Sequence, residues 1–274
     1  MRVVAALALT LALVAPAQET LGLTAPVGSS VTLTTTTKTT MHLLDFYWPK
    51  SLPRPVVSPA LPGTTTRGTV EYRVVAPGEV EVTYRGRLAS LRAPLELSYR
   101  VRYRGEKVEV VDGDRVLAEL IGKLKLPPKL KDQLGDMLSG LPGFGQASVV
   151  PEYAVPLVPG ASRVIAVPYL GGRTAETEVT YLGMEGGRHH FKTRVYLPYV
   201  ELDWLKELMP PGSRALISIG PGTAEGEAFY YPNGLPAGSR TTSQALSFTY
   251  LGQMDAQFVI AARVETESET KPAR

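Results

Sequence analysis

The chain has no cysteine, one asparagine (Asn233) and only three histidines, His42, His189 and His190, among its 274 residues. Without cysteine there is no disulfide, no thiolate nucleophile, no thiolate metal site and no thioether lipid anchor. With so few imidazoles, histidine-based acid–base and metal chemistry have little to draw on. Charge of one sign is missing as well: 29 basic against 26 acidic residues leave +3. That balance creates no demand for a nucleic-acid partner.

Long apolar runs are confined to the start. Val3 to Val14 is interrupted only by Thr10, follows Arg2, and leads into Ala15-Pro16-Ala17. A positive start, an apolar stretch too short for a comfortable membrane span, and small residues at a cleavage point form the layout of a secretory signal peptide. The expectation is an exported protein, periplasmic or extracellular, cleaved near Ala17 and leaving 274 − 17 = 257 residues. No later apolar run is long enough for a transmembrane helix, so the mature chain is expected to be soluble rather than membrane-spanning.

What is present is mostly strand pattern. Leu95, Leu97, Tyr99, Val101 and Tyr103 alternate with Glu96, Ser98, Arg100, Arg102 and Arg104. Successive strand side chains point to opposite faces, so this segment has one apolar and one charged face. Val80, Val82 and Tyr84 alternate in the same way with Glu81, Thr83 and Arg85. Val108–Val111, Asp112-Gly113 and Arg115–Leu120 read as a hairpin, because Asp-Gly is a strong tight-turn signal. Turn-then-strand phrases recur at Gly28-Ser29-Ser30, Pro159-Gly160, Pro211-Gly212 and Ala237-Gly238. Thr180-Tyr181-Leu182-Gly183 is echoed by Thr249-Tyr250-Leu251-Gly252. Two related halves, 18–146 and 147–265, and the plain suitability of Gly-Ser for turns both account for these phrases.

Two helices are predicted. One begins at Pro128 and carries Leu130, Leu134, Met137, Leu138 and Leu141 at helical spacing. The other runs from about Val200 to Leu208 with Trp204 and Leu205, and stops at Pro210-Pro211-Gly212. Prolines 49, 53, 55, 59 and 62 fix an extended surface loop. The polar end, 266–274, is predicted to be a flexible tail beyond a single β-rich domain covering 18–265.

No catalytic signature stands out. There is no Gly-x-Ser-x-Gly elbow, and the Gly-rich pieces lack the context of a phosphate cradle. His189 and His190 are adjacent, so on a strand they point to opposite faces and cannot share a metal ion. Neither a metal nor a cofactor is expected. The stripe Arg100, Arg102 and Arg104 has Glu71, Glu81 and Glu96 as cross-strand partners, which suits a solvated, ion-paired face.

The fold class expected is α+β and predominantly β: a curved, half-barrel-like antiparallel sheet whose apolar face packs on two short helices. Such a sheet, with a helix laid in its concavity, resembles the half-barrel of exported lipoprotein carriers and related lipid-binding envelope proteins. The resemblance is architectural and spans about 65–265. It implies a non-enzymatic envelope protein that binds a lipid or other apolar or amphiphilic small molecule between sheet and helices. The apolar wall Leu97, Tyr99, Val101 and Tyr103, with Leu130, Leu134, Met137, Leu138 and Trp204, supplies the expected contacts. Two alternatives stay open: a structural or adhesive component that binds other envelope components, and a hydrolase of an envelope polymer.

Overall fold

The computed structural model describes residues 19–47, 60–86, 94–123, 147–201, 213–253 and 256–273. Alternation becomes strand throughout these segments. In the first half of the chain, β1 (Ser30–Tyr47), β2 (Ala60–Ala76), β3 (Glu79–Gly86), β4 (Leu95–Arg104), β5 (Lys107–Val111) and the short β6 (Ser148–Val149) run in order. The second half supplies β7 (Ser162–Tyr169), β8 (Arg173–Glu185), β9 (Arg188–Leu197), the short β10 (Val200–Glu201), β11 (Ser213–Tyr230), β12 (Pro236–Gln253) and β13 (Ala256–Pro272). All pairings are antiparallel, in the order β6-β5-β4-β3-β2-β1-β13-β12-β11-β9-β8-β7, with β10 added on β11.

That order is two meanders joined in the middle by β1 and β13, the first and last strands of the chain. The two ends of the sheet, β6 and β7, are consecutive in sequence and lie beside each other. The sheet therefore curls until it nearly closes, further than the half-barrel expected. A 3-10 turn, Pro151–Ala154, bridges the seam. The Val150 amide extends the β5–β6 ladder by donating to the Glu106 carbonyl at 2.7 Å, and across the seam Arg163 of β7 lies 3.8 Å from the Glu106 carboxylate. Inward-facing glycines ease the curvature: a side chain at Gly68 or Gly86 would collide with the Tyr84 ring, which lies flat over both.

One end of the barrel is plugged. Leu21, Tyr153, Val155, Val179, Tyr181 and Phe191 form one buried cluster, and Ala25, Val74, Val80, Val82, Val101 and Leu235 a second. Asn233 ties the plug together, since its backbone carbonyl accepts from the amides of Thr24 (2.9 Å) and Ala25 (3.1 Å) while its side chain accepts from the Leu235 amide. The Tyr153 hydroxyl donates to the Gly234 carbonyl at 2.6 Å, deep in the same region.

The outer face is charged around the sheet. Arg85 pairs with Glu71 and Glu96, Arg102 with Glu79, Arg194 with Glu225, and Arg240 with Glu269. The arginine stripe of β4 thus lies on an ion-paired face, as its alternation implied. No helix among the described residues is long and apolar enough to cross a membrane.

Three expectations need correction. The Asp112-Gly113 turn does not lead into a strand: α1 (Gly113–Lys123) follows, the Val116 amide donating to the Asp112 carbonyl at 3.1 Å. Val116, Leu117, Leu120 and Ile121 recur with helical spacing, and tertiary burial of that stripe overrides the local hairpin signal. The tight hairpin instead joins β4 to β5 at Gly105, whose φ is +62°. Second, α1 is the one α-helix among the described residues; those predicted over 128–141 and 200–208 fall mostly outside them, with Val200 and Glu201 belonging to β10. Third, residues 266–272 do not fray. They are the paired end of β13, held between β1 and β12, because Thr266, Ser268 and Thr270 alternate with glutamates as a strand requires.

If Phe191 (0% exposed) and the Tyr153 hydroxyl anchor the plug, Phe191→Ala lowers stability by about 3–5 kcal/mol. Tyr153→Phe, which leaves a buried carbonyl unpaired, lowers it by about 1–3 kcal/mol. Urea unfolding midpoints at constant slope check both values.

Candidate functional site

Cross-strand register decides what faces the interior. Val74, Tyr72 and Val70 of β2 oppose Val80, Val82 and Tyr84 of β3, which oppose Val101, Tyr99 and Leu97 of β4. The same face continues into β1 as Val31, Leu33 and then Thr35, Thr37 and Thr39. From there it passes to Thr270, Ser268 and Thr266 of β13 and to Ser239, Thr241 and Ser243 of β12. It goes on to Ala228, Gly226 and Ala224 of β11 and to Phe191, Thr193 and Val195 of β9.

The lumen therefore has two unlike walls. The β2–β4 side is aliphatic and aromatic, whereas the side built by β1, β13 and β12 is a field of hydroxyls. Those hydroxyls pair across strands: Thr35 with Thr270 at 3.2 Å, Thr37 with Ser268 at 3.1 Å, and Thr39 with Thr266 at 3.5 Å. They remain half-buried although they point inward, so the wall faces open space rather than packed side chains.

The four predicted wall residues in the described region do share the inner face of β4. Leu97 packs against Val110 and Val116, so α1 covers the sheet's concave side there, a position the sequence assigned to the 128–141 segment. Val101 is buried in the plug. Tyr99 and Tyr103 keep accessible surface inside the barrel. Leu130, Leu134, Met137, Leu138 and Trp204 lie outside the described residues.

Sequence reasoning missed the floor of this lumen. Glu152, on the 3-10 turn at the seam, accepts a hydrogen bond from Tyr230. Tyr103 stacks on Tyr153 with ring centroids 5.6 Å apart; Tyr230 meets Tyr153 edge-on at 5.8 Å and Phe191 at 5.9 Å. Tyr72, Tyr99 and Tyr103 all pack against the buried cluster that includes Val74, Val80, Val82 and Val101. Burial raises the Glu152 carboxyl above the usual carboxylate range, against the opposing pull of its own backbone amide and the Tyr230 hydroxyl. Burial likewise pushes the Tyr103 phenol up to about 12 and lifts those of Tyr72, Tyr153 and Tyr230 above their ordinary value. No local motif marks this floor, because its members come from β2, β4, β11 and the seam.

The histidines divide as their adjacency required. His189 turns inward, its Nδ1 3.0 Å from the Tyr181 hydroxyl, and burial lowers its pKa. His190 turns outward, between Glu185 at 2.9 Å and Glu227 at 3.7 Å, and stacks on Phe229. Among the described residues no group of three or more His, Cys, Asp or Glu side chains is gathered for a metal ion. On the outer surface, Tyr196, Pro221 and Leu246 border a groove of about 470 Å³, and Phe248, two residues along from Leu246, is exposed as well.

No protein-family model matches this chain, and no curated protein is detectably similar to it.

Raised phenol values have a definite sign in folding. Between the ordinary value of 10 and about 12, folded Tyr103 holds a proton that the unfolded chain has lost. Its contribution is complete below pH 10 and is lost as pH rises through about 12. Stability should fall between pH 9 and 11, with roughly 1 kcal/mol of that slope removed by Tyr103→Phe. Urea unfolding at the two pH values measures it.

Proposed function

We propose that the protein is an exported, non-enzymatic binder of an amphiphilic small molecule, carried inside the barrel rather than between sheet and helices. The supporting observation is the unlike pair of walls, hydroxyls on β1, β13 and β12 facing aromatic and aliphatic side chains on β2–β4. Ligand sites combine apolar surface with a few placed polar groups, and this interior offers both on one continuous surface. Half-buried inward hydroxyls retain the capacity to bond a guest, since each Thr or Ser offers a donor and two acceptors. The signal-like first seventeen residues support export, and the charged outer face suits a barrel immersed in water.

The structural-component reading draws on a different observation, the exposed Tyr196 and Leu246 that cluster at the outer groove, with Phe248 two residues along the same strand face. An assembling subunit would bury that cluster and sediment as an oligomer.

Organic extraction of the purified protein followed by mass spectrometry should yield a co-purified amphiphile, and a fluorescent fatty acid should bind. Ser243→Trp, which fills the lumen from the hydroxyl wall, should weaken that binding about tenfold or more, equivalent to about 1.4 kcal/mol. Absence of both extracted and added ligand contradicts the reading.

A further inference from the structure

The inner wall built by β1, β13 and β12 sorts its polar groups more strictly than carriage of an amphiphile in general requires. Three rows of hydroxyls cross it in register: Thr35, Thr270 and Ser239; Thr37, Ser268 and Thr241; Thr39, Thr266 and Ser243. Thr66 and Thr64 of β2 continue the second and third rows on the far side of β1. Charge is kept off this surface. Along β1, β2, β9, β11, β12 and β13 every Lys, Arg, Asp and Glu takes the alternate, outward register, Lys38, Glu227, Arg240, Glu265 and Glu267 among them.

These two facts say which headgroup the wall can receive. A carboxylate, phosphate or ammonium taken inside would lose its water shell and find no opposite charge on these strands, a costly arrangement. An anion also asks only for donors and a cation only for acceptors, whereas a hydroxyl offers both. Where Thr35 meets Thr270 at 3.2 Å and Thr37 meets Ser268 at 3.1 Å, one hydroxyl of each pair donates to the other. Each pair then still has one proton to give and lone pairs to receive with. An alcohol group, itself a donor and an acceptor, matches that pattern, and an ion does not. Neighbouring strands lie about 4.8 Å apart and successive inward positions about 6.8 Å apart, so a lone alcohol meets one row while a polyol meets several.

We propose that the hydroxyl wall seats an uncharged, polyhydroxylated headgroup, so that the guest of the lumen is a glycolipid or another sugar-headed amphiphile. The inference rests on the lumen as the binding compartment and names the chemical class of its guest. The sugar lies against β1, β12 and β13, and the apolar part against the aromatic and aliphatic side chains of β2–β4.

Octyl glucoside, octyl phosphate, octyltrimethylammonium and octanol share one apolar chain, so they separate headgroup recognition from apolar burial. Calorimetric titration of the purified protein, below their micellar concentrations, should show octyl glucoside binding at least about tenfold more tightly than each of the others, as added hydrogen bonds would give. A Thr37→Val, Thr241→Val double variant keeps the β-branched shape and strand preference. It should bring octyl glucoside down to the affinity of octanol, whose own binding stays as it was. A charged probe that binds as tightly as the glucoside, or a double variant that keeps the glucoside preference, overturns the proposal. Octanol binding as tightly as the glucoside overturns it too, yet leaves the lumen as the compartment. Should none of the probes bind, the headgroup assignment falls, and the fluorescent fatty acid decides whether the lumen falls with it.

Discussion

Closure of the sheet on itself is the constraint from which the other features follow. The strand order begins and ends with neighbours in sequence, β6 and β7, so a single short connection must carry the chain across the opening. That connection holds Glu152 and Tyr153, and it is pinned by the Val150 amide, the Arg163–Glu106 pair and the Tyr153 hydroxyl. Curling the sheet brings its two edges, β6 and β7, side by side and turns one of its faces into an interior. The same turn delivers a carboxylate and an aromatic ring to the floor of that interior. Fold and candidate site therefore share one structural event.

Closure also explains why the inner face can be so polar. In an open sheet, a concave face lined by Thr35, Thr37, Thr39, Thr266, Ser268 and Thr270 would contribute little to a core. Here the core is concentrated at one end, where Phe191, Val155 and Val179 are fully buried. The long strands β1, β11, β12 and β13 extend beyond it and wall a space instead of filling one. Cross-strand hydroxyl pairs and β-branched threonines keep those strands regular without hydrophobic contacts.

Much of this was legible in residue order. The alternation over Leu95–Arg104 placed Tyr99 and Tyr103 inward and the arginines outward, and the adjacency of His189 and His190 divided them between faces. Local signals failed where tertiary packing overrode them. Asp112-Gly113 looks like a hairpin turn, yet the stripe Val116, Leu117, Leu120 and Ile121 finds Leu97 and Val110 to pack on and becomes a helix. The end from Thr266 to Pro272 looks like a polar tail, yet it has partners on both sides. The degree of curl could not be read, because it depends on β1 meeting β13, a pairing between opposite ends of the chain. Nor could the floor, since Tyr72, Tyr103, Glu152 and Tyr230 are distant in sequence and become neighbours only when the seam closes.

The absence of cysteine makes closure directly measurable, since introduced thiols would be the chain's only ones. Nitroxide labels attached to a Glu106→Cys, Arg163→Cys double variant report whether the two sides of the seam meet in solution. A nearly closed barrel predicts strong dipolar broadening of the spectrum at room temperature, lost on unfolding in urea. A spectrum no broader than the sum of the two singly labelled proteins would mean an open sheet, with no enclosed lumen and no floor around Glu152.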